Sequence, residues 1–187
     1  MKYLSLIAIY LLSQSLYAAN LEISNIYQVK VGTHQFRVTL MRDNGQREDV
    51  TATARYQLSL GRNLGRGLFE FRPANNGYDQ STTLNVSYSS RDGKINITQN
   101  TYIIIRQTPD YINIRGPYRV DGRYSTHLYV DAIYNGRSYD LTGKYQWNAY
   151  CGRIDSTGQY YPMRRNCRES ITFSYGGRTA YFQMDVY

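Results

Sequence analysis

The chain has 187 residues, with 22 Lys and Arg against 14 Asp and Glu, and it contains 21 Tyr but only 2 Cys. Its formal net charge of +8 favours anionic partners, such as acidic glycans or acidic protein surfaces. No run of five or more basic residues occurs, so we expect no nucleic-acid partner.

The first segment, residues 1–19, has the pattern of a signal peptide. Lys2 precedes a short apolar run at 3–12, and two alanines follow at 18 and 19. The run is too short to cross a bilayer as a helix, and no later segment is apolar enough to do so. An uncleaved membrane anchor is the alternative. We therefore expect an exported protein that is secreted, periplasmic or at the cell surface.

Residues 20–107 are predicted to form a first all-β domain. Phe36, Val38 and Leu40 alternate with polar residues, which is the period of a half-buried strand. Turn sequences recur, among them an Asp-Gly pair at 92–93, and no segment has the spacing of a capped helix. Short strands joined by such turns indicate a β-sandwich.

Two connecting segments can be assigned from composition. The glycine-rich residues 61–67 fit neither common phosphate-loop pattern, so we interpret them as a flexible connection. Residues 106–110 contain Pro109, which follows the apolar strand at 103–105 and denies a donor to the next ladder. This join is short, so two successive domains should lie end to end.

The second half of the sequence repeats the first at a spacing near 90 residues. In both copies an Asn-Gly turn is followed by Asp, an aliphatic residue and Thr, and then by an aromatic residue. The matching residues are Asn44, Gly45, Asp49, Val50, Thr51 and Tyr56 in one copy, and Asn135, Gly136, Asp140, Leu141, Thr142 and Trp147 in the other. The repeat predicts a second domain at 108–187. We interpret Trp147 as a core residue between sheets, the alternative being a ligand-stacking ring.

Cys151 and Cys167 are predicted to form a disulfide, because an even pair in an exported chain favours one. A closed loop of about 15 residues stabilises by about 3 kcal/mol on the chain-entropy estimate. The first copy has no cysteine, so we expect this loop to be specific to the second domain.

The cystine loop is the predicted binding surface, because it concentrates arginine and tyrosine. Its candidate residues are Arg153, Tyr160, Tyr161, Arg164 and Arg165, with Arg168 just outside. Arginine contacts anions in a bidentate way, rings stack, and a closed loop loses little entropy on binding. The predicted partner is a protein or an anionic glycan at a cell surface. The alternative is a stapled hairpin without a partner.

These motifs resemble the bacterial immunoglobulin-like domains of group 2 type, found in invasin- and intimin-like adhesins. The resemblance is carried by Val31-Gly32-Thr33 and the Asp-Val-Thr motif in one copy, and by Val120-Asp121-Gly122 and the Asp-Leu-Thr motif in the other. It implies an all-β fold of two tandem Ig-like antiparallel β-sandwich domains. It also implies an adhesion or envelope role, and no catalytic residues carry over.

The predicted function is therefore a non-enzymatic binding or adhesion module of the bacterial cell envelope. No common catalytic or metal-binding motif is present, so we expect no cofactor and no metal. One alternative is an envelope scaffold that associates through sheet edges. A lesser alternative is a small outer-membrane barrel, which the last strand disfavours: if Tyr187 faced lipid, Asp185 would face it too.

Overall fold

The computed structural model describes residues 19–24, 27–144 and 147–187, and in this part of the chain the protein is all-β. It contains twenty strands and no helix over those residues. The predicted fold class is thus confirmed. The predicted signal peptide lies outside the described residues except for Ala19, which opens the first strand.

The strands of the two halves can be given in chain order. Those of the first half are β1 Ala19–Ile23, β2 Gln28–Lys30, β3 Gly32–Gln35, β4 Val38–Arg42, β5 Arg47–Asp49, β6 Arg55–Leu58, β7 Arg62–Gly65, β8 Leu68–Phe71, β9 Gln80–Ser89 and β10 Asn96–Arg106. Those of the second half are β11 Tyr111–Arg115, β12 Arg119–Val120, β13 Thr126–His127, β14 Tyr129–Tyr134, β15 Arg137–Asp140, β16 Trp147–Ala149, β17 Gly152–Ile154, β18 Gln159–Pro162, β19 Cys167–Tyr175 and β20 Arg178–Val186.

The sheets repeat in the same order in the two halves. The first half has the sheets β1-β4-β5, β2-β10-β9-β6 and β3-β8-β7, and the second has β11-β14-β15, β12-β20-β19-β16 and β13-β18-β17. Neighbouring strands are antiparallel except at the edges, where β2 and β12 run parallel to β10 and β20. Each sheet draws its strands from one half of the described chain. This arrangement is consistent with two tandem sandwiches.

The repeated Asp-aliphatic-Thr motif ties a turn to the neighbouring strand in each half. The carboxylate of Asp49 accepts the N–H of Thr51 at 2.9 Å, and the hydroxyl of Thr51 accepts the N–H of Val38 at 2.9 Å. Asp140 and Thr142 make the equivalent bonds at 2.8 and 3.0 Å. Hydrogen bonding from the threonine side chain lowers the pKa of each aspartate. The motif is therefore structural.

The aromatic residue after the motif also bonds to the same turn, through the carbonyl of the motif's threonine. Tyr56 donates its hydroxyl hydrogen to the carbonyl of Thr51 at 2.7 Å, and Trp147 donates its indole N–H to the carbonyl of Thr142 at 3.2 Å. Trp147 also packs edge-on against the buried ring of Phe173, with 5.0 Å between ring centroids. Trp147 is thus partly buried and packed against the core, as the core interpretation predicts, while its predicted place between the sheets stays a prediction.

The glycine-rich segment is a strand and a turn, so its prediction as a flexible connection was wrong. Arg62–Gly65 form β7, and Gly67 continues the turn into β8 at φ 75°. A Cβ at Gly67 would overlap the carbonyl oxygen of Phe36, whose own N–H donates to the Gly67 carbonyl at 2.8 Å. Glycine is used here because the turn passes against backbone, not because the chain is free.

The halves meet in a buried polar network around Gln107. Its side-chain oxygen accepts the N–H of Ala74 at 2.7 Å and the hydroxyl of Tyr175 at 2.9 Å, and its carbonyl accepts the hydroxyl of Tyr134 at 2.6 Å. Ala74 belongs to the first half and both tyrosines to the second. Burial raises the pKa of Tyr175 to about 12 and also raises that of Tyr134.

Polar contacts surround this network, and the apolar interior is continuous beneath it. Lys30 forms an ion pair with Asp110 at 2.9 Å, and Arg137 donates to the hydroxyl of Thr33 at 2.8 Å. The buried apolar side chains of the two halves belong to one connected cluster. The halves therefore touch through packed side chains as well as through the short join.

Tyr139 offers a test of this packing, because its hydroxyl is buried without a hydrogen-bond partner in the described part of the chain. We expect Tyr139→Phe to raise the free energy of unfolding by about 1 kcal/mol, since a stranded polar group is removed. Tyr134 is the matched control: its ring lies 5.8 Å from that of Tyr139, but its hydroxyl is bonded, so Tyr134→Phe should destabilise. Urea unfolding measures both. A loss of stability in Tyr139→Phe would contradict the expectation.

Candidate binding surface

The predicted disulfide joins Cys151 to Cys167, whose Cα atoms are 6.4 Å apart, and closes a β-hairpin made by β17 and β18. We name residues 151–167 the cystine hairpin. β18 also pairs with β13, so the hairpin forms one side of a three-stranded sheet. Residues 163 and 164 donate their N–H groups to the carbonyl of Cys151 at 3.1 Å each. The surface is thus held at its base by covalent and hydrogen bonds.

The hairpin itself has a counterpart in the first half, which corrects the prediction that the loop is specific to the second. The first-half hairpin of β7 and β8 pairs with β3, as β17 and β18 pair with β13. Gly158, at φ 85°, repeats the contact of the first-half glycine: a Cβ there would overlap the carbonyl of Leu128. Only the cystine is particular to the second half.

Asp155 shapes the tip of the hairpin. Its carboxylate accepts the N–H of Thr157 at 2.8 Å and the hydroxyl of Thr157 at 2.6 Å, and it accepts the N–H of Gln159 at 3.1 Å. The side-chain hydrogen bond from Thr157 is the main cause that lowers the pKa of Asp155. Asp155 is therefore occupied by the turn, although it also accepts the hydroxyl of Tyr161 at 3.2 Å.

Beneath the hairpin lies a fully buried carboxylate, Glu169, which sequence reasoning missed. It accepts the N–H of Tyr150 at 2.6 Å, the N–H of Cys151 at 2.9 Å and the hydroxyl of Tyr160 at 2.7 Å. The sequence could have indicated this burial. Glu169 stands two residues before the apolar Ile171 on the same strand, and residues two apart point to the same face of a sheet. An acid in that position requires donors around it.

Tyr160 is one of the donors, so its prediction as a surface residue was wrong. The side chain is fully buried, and burial is the main cause that raises the pKa of its hydroxyl. Neighbouring strand residues point to opposite faces, so Tyr160 and Tyr161 cannot both face a partner. Tyr161 is the outward member of the pair, with 37% of its surface exposed.

Two arginine–tyrosine pairs form the exposed part of the hairpin. Arg153 lies cross-strand from Tyr161, with its guanidinium carbon 5.2 Å from the ring centroid. Arg164 lies over the ring of Tyr150 at 6.0 Å. Tyr150 is 72% exposed and was not among the predicted residues, although its place beside Cys151 could have suggested it. Each pair presents a cation together with an aromatic face.

The structure places the last two predicted arginines beside other segments. The Cγ atom of Arg165 lies close to Gly122. The pKa of Asp121 is lowered to about 2, mainly by the hydrogen bond from the side chain of Arg123, and the charge of Arg165 contributes to the lowering. Arg168 lies on β19 and donates to the side-chain oxygen of Gln183 at 3.0 Å. These two residues extend the basic region without forming part of the two arginine–tyrosine pairs.

The charges of these pairs are not neutralised within the described chain. Arg153 and Arg164 form no ion pair with any described carboxylate, whereas Arg42 pairs with Glu48 at 2.9 Å. Arg115 also lies over a tyrosine ring, at 5.8 Å, but Asp131 neutralises it at 2.7 Å. Among the four arginine–tyrosine pairs of the described chain, the two of the hairpin are thus the ones whose arginine has no carboxylate partner.

The described residues contain neither a metal-ion cluster nor a membrane-spanning helix. No three or more His, Cys, Asp or Glu side chains there are grouped as a metal ion would require. Nor does that part of the chain contain a helix with the length and apolar character needed to cross a membrane.

Comparison with known proteins adds little to this description. No protein-family model matches the chain, and no curated protein is detectably similar to it. Among solved structures, the chain is similar to domains 5-6 of the S-layer protein SbsC, with 16% sequence identity, covering 91% of this chain and 95% of that one. The TM-score is 0.26, which is too low to carry an argument. The all-β fold rests on the strands described above, and these comparisons do not support the finer resemblance to group 2 immunoglobulin-like domains.

Proposed function

We propose that the protein is an exported, non-enzymatic binding module of a bacterial cell envelope or surface, built from two tandem immunoglobulin-like domains, and that its cystine hairpin contacts an anionic glycan. The observation that supports this most is the pair of arginines, Arg153 and Arg164, each stacked on an exposed tyrosine and free of described carboxylates. The signal-peptide pattern and the cystine support export.

The chemistry of the hairpin matches an acidic sugar. A guanidinium binds a carboxylate or sulfate through two parallel hydrogen bonds, and a tyrosine ring offers an apolar face on which a sugar ring can lie. The cystine and the buried Glu169 hold the hairpin before the ligand arrives, so little conformational entropy is lost on binding. An acidic protein patch is the competing ligand and is one outcome of the test.

The test uses alginate, a polyuronate, as the probe in calorimetric titration. We expect the double variant Arg153→Gln and Arg164→Gln to weaken binding by about tenfold or more per arginine, because each loses a charge-assisted hydrogen bond of about 1.5–3 kcal/mol. The thermal midpoint should be nearly unchanged, since both side chains are on the surface.

The matched control is Arg42→Gln with Arg115→Gln, which removes the same charge from neutralised sites. Binding should fall far less in the control. An equal fall in both variants would mean that net charge alone attracts the polymer, and the proposed site would be rejected. Binding of an acidic protein but not of alginate would replace the glycan with a protein partner.

A second candidate function, a scaffold that associates through sheet edges, is favoured by one strand. β16 is an edge strand without a charged residue, whereas the edge strand β5 is wholly exposed and carries Arg47, Glu48 and Asp49. Charged edges resist pairing with another chain, and uncharged ones do not. If β16 pairs with another chain, Asn148→Lys should abolish that association, as measured by sedimentation. The double variant Arg153→Gln and Arg164→Gln should leave the association unchanged.

A further inference from the structure

The first half contains an open groove at the position that the cystine closes in the second half. Counting from the equivalent aromatics Tyr56 and Trp147, which bond the same carbonyl, Leu60 corresponds to Cys151. The segments match further, because a Gly-Arg pair follows in both. Counting back from their cross-strand partners Val86 and Phe173, Gln80 corresponds to Cys167.

The groove lies between the β7–β8 hairpin and the long strands β9 and β10, and its volume is about 480 Å³. Leu60, Phe71 and Ile105 form its apolar floor, and the last two are almost fully buried in the protein. Gly61 packs directly against the Phe71 ring, since a Cβ there would approach the ring to 2.8 Å. In the second half the disulfide itself ties the hairpin to the sheet at this place.

The rim of the groove is cationic and carries polar groups without partners. It is lined by Arg62, Arg72 and Gln80, with Glu70 as the one acid. Glu70 contacts Arg72 at 3.5 Å and lies cross-strand from Arg62. Arg62 and the amide of Gln80 have no hydrogen-bond or ion-pair partner among the described side chains. Arg62 and the amide of Gln80 are thus left to bind an anion above an apolar floor, and Arg72, which makes a single 3.5 Å contact with Glu70, has further guanidinium donors.

We propose that this groove binds a small amphipathic carboxylate, whose aliphatic part lies on Leu60 above the buried floor while its carboxylate is bound by Arg62, Arg72 and Gln80. The volume is that of a small-molecule site, and the combination of an apolar floor with a few convergent polar groups is typical of one. A guanidinium pair with an amide selects a carboxylate over a neutral head group. The site is separate from the cystine hairpin.

The experiment is a titration of the full protein with hexanoate, monitored by amide chemical shifts in NMR. Shifts should concentrate in residues around the groove, and hexanamide, which lacks the charge, should produce none. A second arm uses a short peptide ending in Leu with a free C-terminal carboxylate, which distinguishes a chain terminus from a free acid as the source. Hexanoate that binds elsewhere, or not at all while the peptide also fails, would overturn the proposal.

Two sets of variants locate the binding. Arg62→Gln and Arg72→Gln should each weaken hexanoate binding about tenfold, through loss of a charge-assisted hydrogen bond, with the thermal midpoint unchanged. The control is Arg91→Gln, an exposed arginine of the first half that does not line the groove, which should leave hexanoate binding intact. Unchanged binding in both first-half variants would refute the site.

A further variant installs the second-half bridge in the first half. Leu60→Cys with Gln80→Cys should form a disulfide, raise the thermal midpoint and abolish hexanoate binding in the oxidised form, whereas the reduced form should still bind hexanoate, but more weakly than the wild type, because it lacks Leu60 and the amide of Gln80. Binding that persists with the bridge formed would overturn the proposal. If the bridge does not form, the arginine variants decide the question.

Discussion

Glu169→Leu is expected to lower the free energy of unfolding by about 3–5 kcal/mol, because several buried donors lose their shared acceptor. Leucine would leave the N–H groups of Tyr150 and Cys151 and the hydroxyl of Tyr160 without an acceptor in a buried place. Each stranded donor costs about 1–3 kcal/mol. Glu169→Gln should cost less, because its amide oxygen still accepts. Urea unfolding with the cystine intact measures both.

A double-mutant cycle assigns this loss to the carboxylate. Tyr160→Phe should destabilise the wild type but cost much less in the Glu169→Leu background, because the hydroxyl then has no acceptor to lose. Phenylalanine fits a comparable place in the first half, where Phe69 is buried on β8. Additive effects of the two changes would show that the hydroxyl and the carboxylate do not interact.

The equivalent position in the first half supplies the control. Thr82 lies where Glu169 does, counted from the same cross-strand pairs, and among the described residues its hydroxyl bonds only the hydroxyl of Ser59, at 2.8 Å. Thr82→Val should therefore cost about 1 kcal/mol, the value of one neutral hydrogen bond. If Thr82→Val and Glu169→Leu lowered the free energy of unfolding by similar amounts, changes in packing and not the loss of hydrogen bonds would explain both results. The rate of amide hydrogen exchange at residues 150 and 151 should rise in Glu169→Leu and not in Thr82→Val.

Sequence alone predicted the fold class because the signals for it are local. The alternation of Phe36, Val38 and Leu40 requires only that one face of a strand be buried, and all three side chains are fully buried. The repeated Asp-aliphatic-Thr motif could be recognised because its hydrogen bonds join residues two apart and one neighbouring strand. Short-range rules of this kind hold before the tertiary structure is known.

The site was harder to predict because its determinants are distant in sequence. Tyr160 and Tyr161 look alike in the sequence, and only the pairing of β18 with two strands decides which ring is buried. The glycine-rich residues 61–67 look flexible because nothing nearby shows that Gly67 passes against the carbonyl of Phe36. The pairing of Arg164 with Tyr150 depends on the closed disulfide, which brings the ends of the hairpin together.

Gly176→Ala is expected to separate the two halves energetically and to lower the free energy of unfolding by about 2–5 kcal/mol. Part of the loss, about 1–2 kcal/mol, is the strain of a side chain at positive φ, here 56°. The rest, about 1–3 kcal/mol, is overpacking, because the new Cβ would overlap the carbonyl of Gln107 and approach Pro109 at 3.0 Å. That carbonyl accepts the hydroxyl of Tyr134, so the overlap disturbs the buried network between the halves.

Gly177→Ala is the matched control, because it lies in the same turn at φ 75° and a Cβ there meets nothing within 4 Å. It should lose only the strain term and keep a single thermal transition. In calorimetry Gly176→Ala should instead show two transitions, since each half retains its own hydrogen-bonded sheets while the contact at Gln107 is weakened. Equal losses in the two variants, each with one transition, would show that the junction contributes nothing to cooperativity. A greater loss in Gly176→Ala than in Gly177→Ala would come from the contact of Gly176 with Gln107, since the two glycines share the turn and the backbone strain.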